Sequence, residues 1–70
     1  MINKKDIQLG KNIKRIRRNK NLTQEKLAEI VKLTPKYIQY IESAKRIPSL
    51  KSLYKIANAL SLKVKDLMPF

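Results

Sequence analysis

Leu9, Ile13 and Ile16 recur at i, i+4 and i+7, with lysine, arginine and asparagine between them. That period predicts an amphipathic helix from about Lys5 to Lys20. Asn3, with Asp6 three residues on, supplies a cap for its start, and Asn21 a left-handed stop at its end. Leu27, Ala28 and Val31 predict a second helix from Gln24 to about Val31, capped by Thr23. Thr34-Pro35 joins a capping hydroxyl to a proline at the first helical position, so a third helix runs from about Pro35 to Ser43 with Ile38 and Ile41 inward. Pro48-Ser49 repeats the punctuation. Ser49 caps a fourth helix reaching about Leu60, whose apolar stripe is Leu50, Leu53, Ile56, Ala57 and Leu60. A short fifth helix, about Val64 to Met68, carries Val64, Leu67 and Met68. No segment alternates with period two, so the fold class is all-α with no strands.

Lys32 and Leu33 alone join the second and third helices. A link that short forces a sharp crossing, and the inward residue at the crossing must be small, a place Ala28 fills. Spacing by itself leaves two readings open: a plain αα-hairpin in a bundle, or a helix-turn-helix.

Seventy residues allow one domain, here taken as 1–70, with a thin core and a stability of only a few kcal/mol. Seventeen Lys and Arg stand against five acids, a net charge of +12, well beyond the magnitude of about 2–8 that keeps a small domain in solution. The excess points to a polyanion, and nucleic acid is the commonest. A membrane surface fits less well, because the chain reads as several short capped helices without tryptophan. There is no cysteine and no histidine, so neither a disulfide nor the usual metal ligands are available, and no metal or cofactor is expected. With five acids and no Gly-rich phosphate loop, no catalytic constellation can be assembled, which excludes an enzyme. The N-terminus lacks the apolar run of a signal peptide, and a cytoplasmic location is expected.

Particular residues decide between the two readings. Leu22-Thr23-Gln24-Glu25-Lys26-Leu27-Ala28-Glu29, then Tyr37-Ile38-Gln39-Tyr40-Ile41-Glu42, then Pro48-Ser49-Leu50, Lys55-Ile56-Ala57 and Ala59-Leu60 together resemble the Cro/repressor, or XRE-type, helix-turn-helix regulators, over roughly residues 9–68. Tyr37-Ile38 with Ile41-Glu42, followed by Arg46, Pro48, Ser49 and Leu50, is also similar to the controller proteins of restriction-modification systems. The resemblance implies a five-helix, lambda-repressor-like fold with a helix-turn-helix unit at about 24–43. It implies a sequence-specific, homodimeric regulator of transcription, a repressor or a controller, that reads palindromic double-stranded DNA with its third helix. In one respect the chain departs from that family. Glycine is usual after helices one to four, where this chain has Asn21, Lys32, Ala44 and Ser61, and its only glycine is Gly10 inside helix one. A left-handed Lys or Ala costs roughly 1 kcal/mol relative to Gly, so modest stability is expected.

Steps of about 100° per residue place Ile38, Ile41 and Glu42 on one side of helix three, Lys36, Tyr40 and Ser43 on the other, and Gln39 on the flank. The base-contacting candidates are Pro35, Lys36, Gln39 and Tyr40. Lys36 suits guanine O6/N7, Gln39 suits adenine N6/N7, and Tyr40 a thymine methyl or a phosphate. The phosphate-contacting candidates are Thr23, Gln24, Tyr37, Ser43, Lys45, Arg46, Ser49 and Lys51, clustered at the start of helix two and around the turn after helix three. In the family the glutamine at the position of Gln24 touches the backbone. Lys14, Arg15 and Arg18 add field more than contact. Glu42 lies on the core side, where an unpaired acid is costly. Arg17, on the flank of helix one's stripe, is the candidate partner in a structural ion pair that recurs in the family. Leu62, Val64, Leu67, Met68 and Phe70 gather apolar surface at the C-terminus and are the candidate dimer interface. The alternative is an antitoxin-like adaptor or RNA-binding module on the same fold. RNA reading favours clustered exposed aromatics, and the three tyrosines and one phenylalanine here are dispersed.

Overall fold

The computed structural model describes residues 3–69, and among them every regular element is helical: α1 (Lys4–Asn19), α2 (Gln24–Val31), α3 (Pro35–Glu42), α4 (Leu50–Ala59) and α5 (Val64–Leu67). Each start follows local chemistry. Asn3 and Asp6 close a reciprocal capping box on α1, each side chain bonding the other's backbone N–H at 3.0 Å. Thr23, Thr34 and Ser49 accept from the third N–H of α2, α3 and α4. Pro35 fills the first position of α3, where its missing N–H costs nothing.

The helix ends are alike in a less expected way. Asn21, Lys32, Ala44 and Ser61 all sit in the left-handed region, with φ of 59°, 59°, 62° and 59°. At each, the next residue's N–H returns to a carbonyl five back: Leu22 to Arg17, Leu33 to Ala28, Lys45 to Tyr40 and Leu62 to Ala57, over 2.8–3.1 Å. This is the Schellman closure, which favours glycine at the left-handed position and an apolar residue after it. Leu22, Leu33 and Leu62 meet the second requirement by packing on the core. The exception is Lys45, at the end of α3, which is exposed.

One core joins the five helices. Ile13, Leu27, Ile38, Ile41, Ile56, Leu60 and Leu67 are its largest fully buried side chains. Ala28 is buried where α2 meets its neighbours. Gly10 sets the approach of α1 to α3: a Cβ there would lie 2.5 Å from the Ile41 carbonyl oxygen and 2.8 Å from that of Glu42. At the other end Asn12 Nδ2 donates to the Leu67 carbonyl at 2.9 Å, tying α5 to α1.

Some boundaries and faces differ from the sequence-based expectation. Ser43 caps α3 rather than belonging to it, because Ala44 turns left-handed immediately after. The fifth helix stops at Leu67. Leu50, expected in the inward stripe of α4, is 61% exposed. It is the first residue of the helix and faces outward while Pro48, Ser52 and Leu53 around it are buried. Leu67, expected at a dimer interface, is fully buried and serves the core of its own chain. Met68 packs half-buried against that core, and Phe70 lies outside the described residues.

Gly10→Ala is expected to lower stability by about 1–3 kcal/mol, because backbone, not a yielding side chain, fills the space. Ala44→Gly and Lys32→Gly are each expected to raise it by about 1 kcal/mol. Urea unfolding followed by circular dichroism checks all three. A neutral Gly10→Ala would show that α1 and α3 slide apart freely.

Candidate nucleic-acid interface

The α2–turn–α3 unit presents one face of α3 outward because the opposite face is anchored by Ile38, Ile41 and Glu42, all buried. Pro35, Lys36, Gln39 and Ser43 are exposed on it, and Tyr40 is half-buried. Two ammonium groups approach the Tyr40 ring, Lys36 Nζ at 6.0 Å and Lys45 Nζ at 5.9 Å from its centroid, at the outer limit of a cation–π contact. Lys45 is placed there by its own backbone, whose N–H donates to the Tyr40 carbonyl at 2.8 Å. Its exception to the leucine pattern at the other helix ends thus puts a cation beside the outward face of α3. Thr34, Lys36, Tyr37, Tyr40 and Arg46 line one shallow groove along this face.

The other candidates are placed differently, and Tyr37 is shared between that groove and α4. Gln39 lies on the other flank. The Ser43 hydroxyl donates to the Gln39 carbonyl at 2.9 Å. Tyr37 leans toward α4, with its hydroxyl 3.4 Å from Ser52 Oγ. Ser49 Oγ accepts from the Ser52 N–H at 3.1 Å and donates to the Ser52 hydroxyl at 3.0 Å, so the cap already uses it. Lys51 is exposed on the first turn of α4, next to Ser49. Thr23 Oγ1 likewise accepts from the Lys26 N–H, which leaves its own proton to donate. The remaining N–H groups of the first turn of α2 have no intrahelical partner, and their pull on an anion is partly offset by Glu25 in the same turn.

Behind this face is a buried network. Arg17 Nε and Nη2 donate to the two Glu42 carboxylate oxygens at 2.6 and 3.0 Å, with both residues under a tenth exposed. Arg17 Nη1 donates to the Leu22 carbonyl at 2.6 Å, and Gln24 Nε2 donates to Glu42 Oε1 at 3.0 Å. Glu42 therefore holds the end of α3, the last turn of α1 and the first residue of α2 together. The Gln24–Glu42 bond was not foreseen: the sequence places Gln24 at a helix start and cannot show which way its amide turns. With Glu42 spent in this way, no acid is exposed between Glu29 and Asp66, a stretch that holds Lys32, Lys36, Lys45, Arg46, Lys51 and Lys55.

A second unforeseen feature lies on α4. Leu50 and Tyr54 are each 61% exposed and stand one turn apart on α4, and Ile47, 53% exposed, lies in the segment just before the helix. Tyr54 also borders a groove containing Leu62 and Val64, between α4 and α5. The spacing is legible in the sequence, but Leu50 is equally legible as core.

Two short helices crossing at a tight left-handed turn, the second with its outer face free and basic, define a helix-turn-helix protein. Residues 13–67 match the helix-turn-helix family, and the chain belongs to that family, of the XRE type. It is 39% identical over 71 residues to the control protein C.BamHI of Bacillus amyloliquefaciens, covering 100% of this chain and 88% of that one. Its structure is similar to that of the restriction-modification controller protein C.AhdI from Aeromonas hydrophila, with a TM-score of 0.87, 31% identity, and 89% and 94% of the two chains covered. It is also similar to the biofilm regulator SinR in a crystal structure with DNA, with a TM-score of 0.80, 30% identity, and 84% and 95% covered. The chain spans 41% and 42% of the length of two multiprotein-bridging factors that it also matches, from Arabidopsis thaliana and Candida albicans. Among the described residues no helix is long and apolar enough to cross a membrane.

Glu42→Ala strands the Arg17 guanidinium in the core and is expected to cost about 3–5 kcal/mol, most of what so small a domain has. Replacing Arg17 and Glu42 together by apolar residues of similar size is expected to recover much of that loss. Thermal melting of the single and double variants is the check. A Glu42→Ala protein that melts like the parent would show that the pair contributes no net stability.

Proposed function

We propose that the chain, acting as a single domain, is a sequence-specific double-stranded DNA-binding regulator of transcription that inserts α3 into the major groove. The observation that carries this is the outward face of α3: basic, without an exposed acid, and centred on Tyr40 with the Lys36 and Lys45 ammonium groups near its ring. An eight-residue helix is about 12 Å long, comparable to the width of the major groove. Lys36 donates to guanine O6/N7, Gln39 pairs with adenine N6/N7, and Tyr40 packs against a thymine methyl, with Pro35 closing the helix start against the bases. Lys45, Arg46 and Lys51 neutralise phosphates on one side of the groove. On the other side, the free N–H groups at the start of α2 do so, with Gln24, whose second amide hydrogen is not used by Glu42. The same family architecture in C.BamHI, C.AhdI and DNA-bound SinR supports this reading.

A single such helix contacts few base pairs, and two copies on a palindrome double the readout. The exposed apolar edge Ile47–Leu50–Tyr54, continued by Leu62 and Val64, suits a second copy of this chain. It replaces Leu67 and Met68 in the interface, since those residues fill the chain's own core.

Selection of duplexes from a random library tests the function directly: a recovered, two-fold symmetric site is expected, and enrichment of no sequence would refute it. On that site Lys36→Ala is expected to cost about 1–3 kcal/mol and relax preference at one or two positions per half-site, while Lys45→Ala weakens all sequences alike. If the two variants behave interchangeably, α3 is not the reading element. For a dimer neutralising about eight phosphates, log K against log salt should slope near −7. Leu50→Asp is expected to give a monomer by light scattering that keeps half-site binding and loses the palindrome. An unchanged mass would remove the α4 edge from the interface.

A further inference from the structure

α1 carries a cationic surface that the α3 face does not use. Lys11, Lys14, Arg15 and Arg18 are all exposed and, with Asn19, line one shallow groove on its outer side. Their spacing of i, i+3, i+4 and i+7 makes them mutual neighbours on the helix surface: Lys11 adjoins Lys14 and Arg15, and Arg18 adjoins the same two. Like charges at these spacings destabilise a helix. Among the described residues no carboxylate pairs with any of the four. The one acid of α1, Asp6, is committed to the capping box. Arg18, in the last turn, gains from the helix dipole, whereas Lys11 and Lys14 lie too far from the end to do so. Only Arg17, of the α1 cations, turns into the core. The fold therefore does not recover what this clustering costs.

The position of the cluster is set by the packing. Gly10 rests on the carbonyls of Ile41 and Glu42 at the end of α3. Lys14 and Arg18 follow Gly10 at i+4 and i+8, a row that starts against α3 and turns gradually outward. The cationic surface thus begins beside the C-terminal end of α3, on the side away from its outward face, and leads off along α1. No large apolar side chain lines the groove; Ile7, 42% exposed one turn before Lys11, is the nearest, and a single isoleucine is too little for the insertion face of a membrane-surface helix or the anchor cluster of a protein interface. What remains is a ladder of lysine and arginine suited to phosphates.

We infer that the outer face of α1 is a second contact for the phosphate backbone of duplex DNA, outside the stretch read by α3. The inference rests on the DNA-reading function proposed above. The phosphates belong either to the flank of the same duplex, bent toward α1, or to a second duplex held alongside.

The test uses the full chain with Lys11→Gln, Lys14→Gln, Arg15→Gln and Arg18→Gln combined, and a charge-retaining control with Arg15→Lys and Arg18→Lys. Binding is measured on the selected site in a duplex ending at its borders and in one extended by about one helical turn on each side. Capture of a labelled duplex lacking the site, by protein bound to an immobilised site, is measured in parallel. The parent and the control are expected either to gain affinity on the extended duplex, which assigns the flank, or to capture the second duplex, which assigns bridging. The fourfold variant is expected to lose that response while keeping base preference, with a salt slope shallower by about 0.9 for each phosphate it no longer neutralises. Its melting temperature should be equal or higher, since repulsion is relieved; Lys11→Gln with Arg15→Gln repeats the measurement should the fourfold variant melt early. Identical slopes and responses in parent and variant would overturn the inference, as would a parent that shows neither response. A parent that selects no duplex sequence at all would refute the underlying function instead, so the two failures are distinguishable.

Discussion

A carboxylate buried among three helices must be neutralised where it stands, and the way Glu42 is neutralised organises this protein. Both of its oxygens are taken by Arg17, one is shared with the Gln24 amide, and Arg17 reaches on to the Leu22 carbonyl. The charges are paired with good geometry and full hydrogen bonding, the condition under which a buried ion pair is tolerated. A hydrophobic trio of similar volume would fill the space at least as favourably. It would not impose a direction, whereas two parallel N–H···O bonds fix the angle between α1 and α3, and the Gln24 bond fixes the start of α2 against both. The contact of Gly10 with the Ile41 and Glu42 carbonyls has the same consequence by steric means.

The helix ends are stressed where the centre is not. Four non-glycine residues occupy left-handed positions, and three of those turns are closed by a leucine returning to the core. At these three the burial of leucine offsets the backbone cost. At the fourth, Ala44 is buried but the following residue is Lys45, which remains in solvent beside Tyr40. The turn with the weakest internal compensation is thus the one next to the proposed reading surface, a common place for stability to be given up.

Charge is distributed by the same logic. Of five acids, Glu42 is buried and paired, Asp6 and Asp66 sit in helix starts, and Glu25 and Glu29 lie on α2. The long stretch from Ile30 to Lys65 exposes none. A net +12 spread evenly would steer any polyanion; here the only acid of α3 lies on its buried side and is neutralised by Arg17, so the outward face carries cations without an exposed acid among them. The basic groove on α1 adds a separate source of attraction a short distance away.

The helices follow from local chemistry along the chain, because caps, prolines and apolar periodicity each act within a few residues. The sequence also marked the left-handed positions, through the family spacing, and it placed Arg17 and Glu42 at the edges of their stripes. What it left undecided depends on the path of the chain in three dimensions. Leu50 and Leu67 are both leucines at core-compatible spacing, yet one is largely exposed and the other fully buried. The difference is only whether another helix passes that point. Gly10 reads as a weak spot in a helix until the backbone of α3 is seen against it. The Gln24 amide is free to turn outward until Glu42 is brought within 3.0 Å of it. Periodicity specifies which face of an element is apolar; only the packing of elements decides which residues on that face are covered, since coverage is a property of the neighbour and not of the residue.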